Sequence, residues 1–313
     1  MKPLLLLPCL LLYITTTAQK VEKYFDFRWK ETTPDSARYA AMIERTDSGW
    51  HRKDYFIHER SLQMDGTYED EACKTANGLF VYYHANRRLK RKGEYSHGQF
   101  NGLWVSYHAN GMMSDSIHYN NGHRTGTCLG WYADGTASDS AVWNADGSGI
   151  AVAWFNNGSP SFAGRYSAGE KKNGKWQFFH NNGKVAAFEW YQDGVLVNKQ
   201  YFDEQSNPMD TTSHDHEANF PGGIKAWQKY LYKHVYFPTQ YQLVNADQAV
   251  VVVDADIDED GNVSNAEVSA PFHPEFDIIA LDAVRKSPKW LPAVQHNRRV
   301  RTRVRQPVYF AQE

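Results

Sequence analysis

The chain has 313 residues, 42% of them hydrophobic, enough for two ordinary domains with real cores. Its net charge of −2 at pH 7 offers no basic field, so nucleic acid is not an expected partner. With 19 Tyr, 16 Phe, 10 Trp and 22 Gly, the composition leans towards turn-rich β-structure.

The N-terminus reads as an export signal over residues 1–18. Lys2 supplies a short positive region and Leu4 to Ile14 an apolar run. Small residues Thr15-Thr16-Thr17-Ala18 follow, so cleavage is expected before Gln19. The apolar run is about 11 residues, short of the roughly 20 that span a membrane. Cys9 follows Pro8 rather than a small residue, which argues against a lipid-anchored cysteine. The mature chain is therefore expected in the periplasm or cell envelope, peripheral to a membrane at most. Cys73 and Cys128 lie more than two repeat units apart and are expected to be free thiols.

Residues 19–50 are mixed, with a short helix expected from Ser36 to Glu44 and Asp35 as its N-cap. Residues 51–202 are repetitive. Leading glycines Gly78, Gly102, Gly126, Gly149 and Gly174 are spaced 24, 24, 23 and 25 residues apart. Each opens an alternating apolar and aromatic strand. An Asn-Gly or Asp-Gly turn follows at Gly111, Gly135, Gly158 and Gly183, with Arg87 at that place in the first unit. The second strands end in Tyr95, Tyr119, Trp143, Tyr166 and Tyr191. Gly66-Thr67-Tyr68 looks like an irregular first unit, and Asp193-Gly194 with Tyr201-Phe202 like a fading last one. The pattern resembles MORN and MORN-variant repeats, including those of bacterial antitoxin-component repeat proteins. That resemblance implies a mainly β array of stacked hairpins used as a scaffold or interaction surface.

Tyr83, Tyr107, Trp131, Trp154 and Phe179 stand five residues after their glycines and are expected to stack inward as a core ladder. Phe80, Trp104 and Trp176 have the opposite parity and face the other side. Were that side exposed, it would offer a groove for glycan, peptide or lipid. Residues 203–219 are polar and read as a linker on which the two parts move. His214-Asp215-His216-Glu217 has metal-ligand chemistry but no further ligands nearby, so it reads as solvated linker.

Residues 220–313 read as a small α+β domain, two helices on an antiparallel sheet. Phe220-Pro221-Gly222-Gly223 leads into a helix from Ile224 to Tyr232, which Phe237-Pro238 ends. Ala249 to Ile257 and Val263 to Ser269 form a hairpin around Glu259-Asp260-Gly261-Asn262. An amphipathic helix runs from Pro274 to Lys286, and Val300 to Phe310 gives a third strand. Asp256 to Gly261 with Glu267 satisfies an EF-hand loop pattern, but strands flank it where that loop needs helices.

The residues Phe220–Gly223, Phe237-Pro238, Asp260–Val263, Lys289–Pro292 and Pro307–Phe310 together resemble the C-terminal domain of TonB-type energy transducers. The sequence departs from that family at Ala246-Asp247-Gln248, before the first strand, and at Ala293. The resemblance implies a domain that captures a peptide segment of an outer-membrane receptor or transporter by adding it to a sheet edge. The edge is expected on the final strand, with Arg301, Arg303 and Arg305 lining one face as partner-binding residues or as charges guarding the edge. A transducer of that family also has a membrane anchor and a long Pro-rich spacer, which are not seen here.

No catalytic set of nucleophile, base and orienting group stands out, and no cofactor or metal site is expected. The function expected is an exported envelope adaptor with protein partners. Its rivals are a component of TonB-dependent energy transduction and a glycan- or lipid-binding repeat protein.

Overall fold

The computed structural model describes residues 20–243 and 248–312. The export signal, Cys9 and the Ala246-Asp247 departure lie outside the described residues. A 16-stranded antiparallel sheet, in which each strand pairs with the next in sequence, forms the first part. Its strands are β1 (Lys20–Phe25), β2 (Tyr39–Thr46), β3 (Gly49–Phe56), β4 (Ser61–Tyr68), β5 (Gly78–Tyr83), β6 (Leu89–Ser96), β7 (Gln99–Tyr107) and β8 (Met113–Asn120). They continue with β9 (His123–Trp131), β10 (Ala137–Trp143), β11 (Gly149–Trp154), β12 (Pro160–Ser167), β13 (Lys171–Phe179), β14 (Val185–Gln192), β15 (Val195–Phe202) and β16 (Pro208–Met209). The array is thus a long hairpin sheet that already includes residues 20–56. The helix expected from Ser36 to Glu44 does not form. Asp35 sits in a single 3-10 turn, and Tyr39–Thr46 is strand β2. Its alternation of buried Tyr39, Ala41 and Ile43 with more exposed neighbours is a strand period, and pairing on both sides outweighs local helix preference.

Two turn types recur along the array, and the β10–β11 connection, Asn144–Ser148, repeats the longer one. Within a unit, the chain turns through a five-residue loop in which Gly111 or its equivalents take positive φ; Arg87 takes φ 68° in the first unit. Between units, two-residue turns such as His97-Gly98 and Asn121-Gly122 have both residues at positive φ, the geometry that follows strand twist. A side-chain ladder ties successive within-unit turns together. His84, His108 and His180 each donate from Nε2 to the carbonyl of Tyr107, Trp131 and Phe202 at 2.9, 2.8 and 2.9 Å. Tyr132 takes the same role towards Trp154.

The core face is the reverse of the sequence expectation. Phe80, Trp104 and Trp176 are 1%, 0% and 1% exposed, while Tyr83, Tyr107, Trp131, Trp154 and Phe179 are half-buried on the opposite side of their strands. The cause lies across the ladder. Gly66, Gly93 and Gly164 stand beside these three rings, and a Cβ on any of them would overlap Phe80, Trp104 or Trp176 respectively. Each ring lies on bare backbone of the preceding strand. The side that would have offered a groove if exposed is filled, so a glycan- or lipid-binding role for Phe80, Trp104 and Trp176 falls.

The second part has α1 (Gly223–His234), β17 (Gln248–Ile257), β18 (Val263–Ala270), α2 (Pro274–Arg285), β19 (Ala293–Gln295), β20 (Arg298–Val300) and β21 (Thr302–Ala311). Its main sheet has the order β18-β17-β21. One face of β17, with Val251, Val253, Ala255 and Ile257, is buried under both helices. The sequence motifs meet in this core. Phe220 packs on Trp227 and Trp290 at 5.1 and 5.6 Å between ring centres, and the Trp290 amide donates to Gly261 O at 2.8 Å. Only a glycine fits there, because a side chain at Gly261 would meet the Trp290 carbonyl. The acidic Asp258–Asn262 segment is a hairpin turn whose Asp258 carboxylate accepts the Asp260 and Asn262 amides at 3.0 and 2.8 Å.

The two parts are docked, which corrects the expectation of a linker on which they move. Residues 203–219 hold backbone bridges from His216 to Val294 and from Asn219 to Leu291. The other face of β17 packs Val250 and Val252 on Tyr39 and Phe56 of the array. At the far end, the β19–β20 turn inserts into the last units. His296 stacks on Phe178 at 3.9 Å, Asn297 donates to Ala186 O and Phe202 O at 3.1 and 3.0 Å, and buried Arg298 donates to Ser161 Oγ at 3.0 Å. Cys73 and Cys128 are both free.

Candidate peptide-binding edge

Among the described residues, β21 pairs with β17 alone, so its far side is an open edge ten residues long. Pro307 fixes which residues face it. A proline has no N–H for a ladder and sits in an edge strand with its nitrogen turned outward. In an antiparallel pair, alternate residues share that orientation. Arg303, Arg305, Tyr309 and Ala311 therefore turn backbone N–H and C=O groups to the open side.

A cleft of about 880 Å³ runs beside the end of this strand, between Tyr309–Gln312 and the exit of α1. Its walls include Leu231, Tyr232, Tyr236 and Tyr241. Tyr232 is 85% exposed and Tyr309 44% exposed. An open edge next to a tyrosine-walled cleft provides main-chain hydrogen bonds and side-chain contact surface in one place.

The predicted arginines do not line this cleft with their side chains. Arg303 forms ion pairs with Asp256 at 2.9 Å and Glu267 at 2.5 Å. Arg305 reaches Asp254 at 3.6 Å, and Arg301 lies over the Tyr132 ring at 4.9 Å. Arg303 and Arg305 thus neutralise carboxylates of β17 and β18, and Arg301 contacts the array. Sequence reading missed Tyr232, Tyr236 and Tyr241, although two tyrosines four residues apart around the helix exit were a visible signal.

Charged groups cluster where the C-terminal part meets the array. Burial pushes the Glu189 carboxyl up, but hydrogen bonds from His296 and Tyr191 hold it below its ordinary value overall. Glu267 is likewise raised by burial and brought below its ordinary value by His84, 3.2 Å away, and by Arg303. Burial and nearby Glu59 push Asp277, at the start of α2, up to about 7 against the pull of backbone amides and Arg38. Burial lowers Arg298 to about 10, offset in part by Glu259 and Tyr132.

Residues 233–311 match the family model of the Gram-negative bacterial TonB protein C-terminal. This stretch is a TonB C-terminal domain; the family is non-enzymatic, and its members are cell-envelope domains that bind outer-membrane TonB-dependent receptors. Comparison with curated proteins finds none that matches the chain. No helix among the described residues is long and apolar enough to cross a membrane.

Proposed function

We propose that the chain is an exported envelope adaptor whose TonB C-terminal domain captures an extended receptor segment along the open edge of β21. The observation that carries this reading is the unpaired ten-residue strand beside the tyrosine-walled cleft. The hairpin array is the scaffold, and its 24-residue units support a MORN-variant assignment for residues 51–202. Residues 220–313 act as the binding head, with Phe220 in its core. Arg303 and Arg305 contribute backbone groups to capture, while their side chains hold the sheet in register.

Arg305→Pro tests this directly. It removes one outward N–H without touching the β17 ladder, so the domain keeps its fold. Arg305→Ala removes the same side chain and keeps the N–H. With synthetic peptides from the N-terminal segments of outer-membrane receptors, Arg305→Ala binds as the parent does, and Arg305→Pro binds at least tenfold more weakly. Equal binding by both variants refutes edge addition. A transducer-like, anchored protein would instead keep its N-terminus, so mass spectrometry of the mature protein starting at Gln19 excludes that alternative.

A further inference from the structure

The array ends on an unfinished hairpin. Strands β2 to β14 each pair on both sides. At the last unit β15 pairs along its length with β14, but β16 covers only Tyr201 and Phe202. One period of about 24 residues on from β14, a full partner strand would fall at residues 209–216. The chain leaves instead: Met209 ends β16, and His216 is already bridged to Val294. Among the described residues, Val195 to Gln200 therefore have no strand on their far side. Val195, Leu196 and Val197 are exposed there by 65%, 41% and 59%. An apolar strand with open ladder groups is a template for another strand. The opposite end of the array is guarded by charge. Strand β1 carries Lys20, Glu22 and Lys23, with Lys20 paired to Glu44 and Lys23 to Glu31.

The sequence of the β15 edge selects its occupant. Asp193 and Lys199 stand three residues to either side of Leu196, with Val195 and Val197 between them. Asp193 accepts from Ser167 Oγ at 3.2 Å, and the Lys199 ammonium lies 5.0 Å from the centre of the Tyr201 ring. Among the described residues neither charge has an ion-pair partner. An antiparallel neighbour of the same sequence, with Leu196 on a two-fold axis, sets Asp193 against the partner's Lys199 and Lys199 against the partner's Asp193. It also sets Val195 against the partner's Val197. We infer that a second copy of this chain docks here: two protomers pair β15 with β15 about a two-fold axis at Leu196, joining their arrays into one sheet. A bulge at Val197, where Trp190 pairs with Asn198 and Tyr191 with Leu196, twists this edge and keeps the contact short. The dimer is accordingly weak and reversible, below the standard interface of about 20–30 residues a side. It sets two β21 edges in one particle.

Sedimentation equilibrium of the mature full chain tests this over about 5–500 μM, the range in which small interfaces dissociate. The mass should rise from one chain towards two and no further. Lys199→Asp and Asp193→Lys each place like charges across the axis, and each should weaken association about tenfold or more. An equimolar mixture of these two variants restores both ion pairs and should recover association as a heterodimer. Asp193 sits in a tight turn at φ 49°, so Leu196→Arg, which lies outside the turn, provides a further variant should Asp193→Lys lose parental circular dichroism. It should weaken association to a similar degree. A monomer throughout the range, growth beyond two chains, association unchanged in Lys199→Asp or Leu196→Arg, or a mixture of folded charge variants that stays monomeric would each overturn the inference.

Discussion

The array and the TonB C-terminal domain are both β-rich, but they are stabilised in different ways. The array is a single sheet whose core is a series of local pairs, Gly66 with Phe80, Gly93 with Trp104 and Gly164 with Trp176. The C-terminal domain gathers Val251, Val253, Phe276, Val284, Trp290, Val308 and Phe310 into one cluster between a sheet and two helices. In the array each unit depends on its neighbours alone. In the C-terminal domain residues far apart in sequence depend on one another. A site that must hold a strand edge in fixed geometry is better placed on the second kind of core.

Damage to each core separates the two kinds of stability most clearly. Phe276→Ala should cost about 3–5 kcal/mol, with the amides of β17, β18 and β21 losing exchange protection together. Urea unfolding followed by hydrogen exchange measures both. Gly93→Ala in the array should cost about 1–3 kcal/mol by forcing the Trp104 ring aside, with protection lost chiefly in β5 to β8. If its effect spreads to β13 to β15 as strongly, the array is not a sum of local pairs.

The docking between the parts gives the next effect. Arg298→Ala should cost about 1.5–3 kcal/mol and free the β19–β20 turn, read as faster exchange of residues 293–300. Docking also carries a pH window. Glu189 and Glu267 have depressed values, so their contribution is present above about 4.5, their ordinary range, and is lost as pH falls through the folded values. Asp277 has the opposite sign. Its contribution is present below 3.8 and lost as pH rises through about 7. Thermal unfolding should therefore show a weaker interface at pH 8 than at pH 6, and Asp277→Asn should flatten that limb. The smallest effect is expected at Arg87. Arg87→Gly relieves a positive φ and should stabilise the first unit by about 1 kcal/mol, less what the Arg87 bond to Glu59 O contributes.

The hairpin period, the helix–sheet order of the C-terminal domain and the final edge strand were legible, because strand alternation, Gly-containing turns and the Asp260–Val263 and Lys289–Pro292 motifs are local signals. Which side of the array is inside was not read correctly. Period 2 says that Phe80 and Tyr83 face opposite ways, yet not which way is in. The deciding mark was Gly-x-Tyr at Gly66, Gly93 and Gly164, where a missing side chain leaves room for the next strand's ring. Where Ile117 stands in that place, the inward residue of the next unit is the smaller Cys128, half of the same exchange of volumes. The roles of Arg303 and Arg305 were hidden for another reason. Their partners Asp254, Asp256 and Glu267 come opposite them only through strand register.

The adaptor role rests on capture of peptide along the free edge of β21. Amide exchange followed by NMR on the full chain, with and without a bound receptor peptide, tests it residue by residue. Edge capture gives new protection at Arg303, Arg305 and Tyr309, with Val304 and Val308 already protected by β17. Protection of β18 instead, or an unchanged β21 with peptide bound, would contradict it.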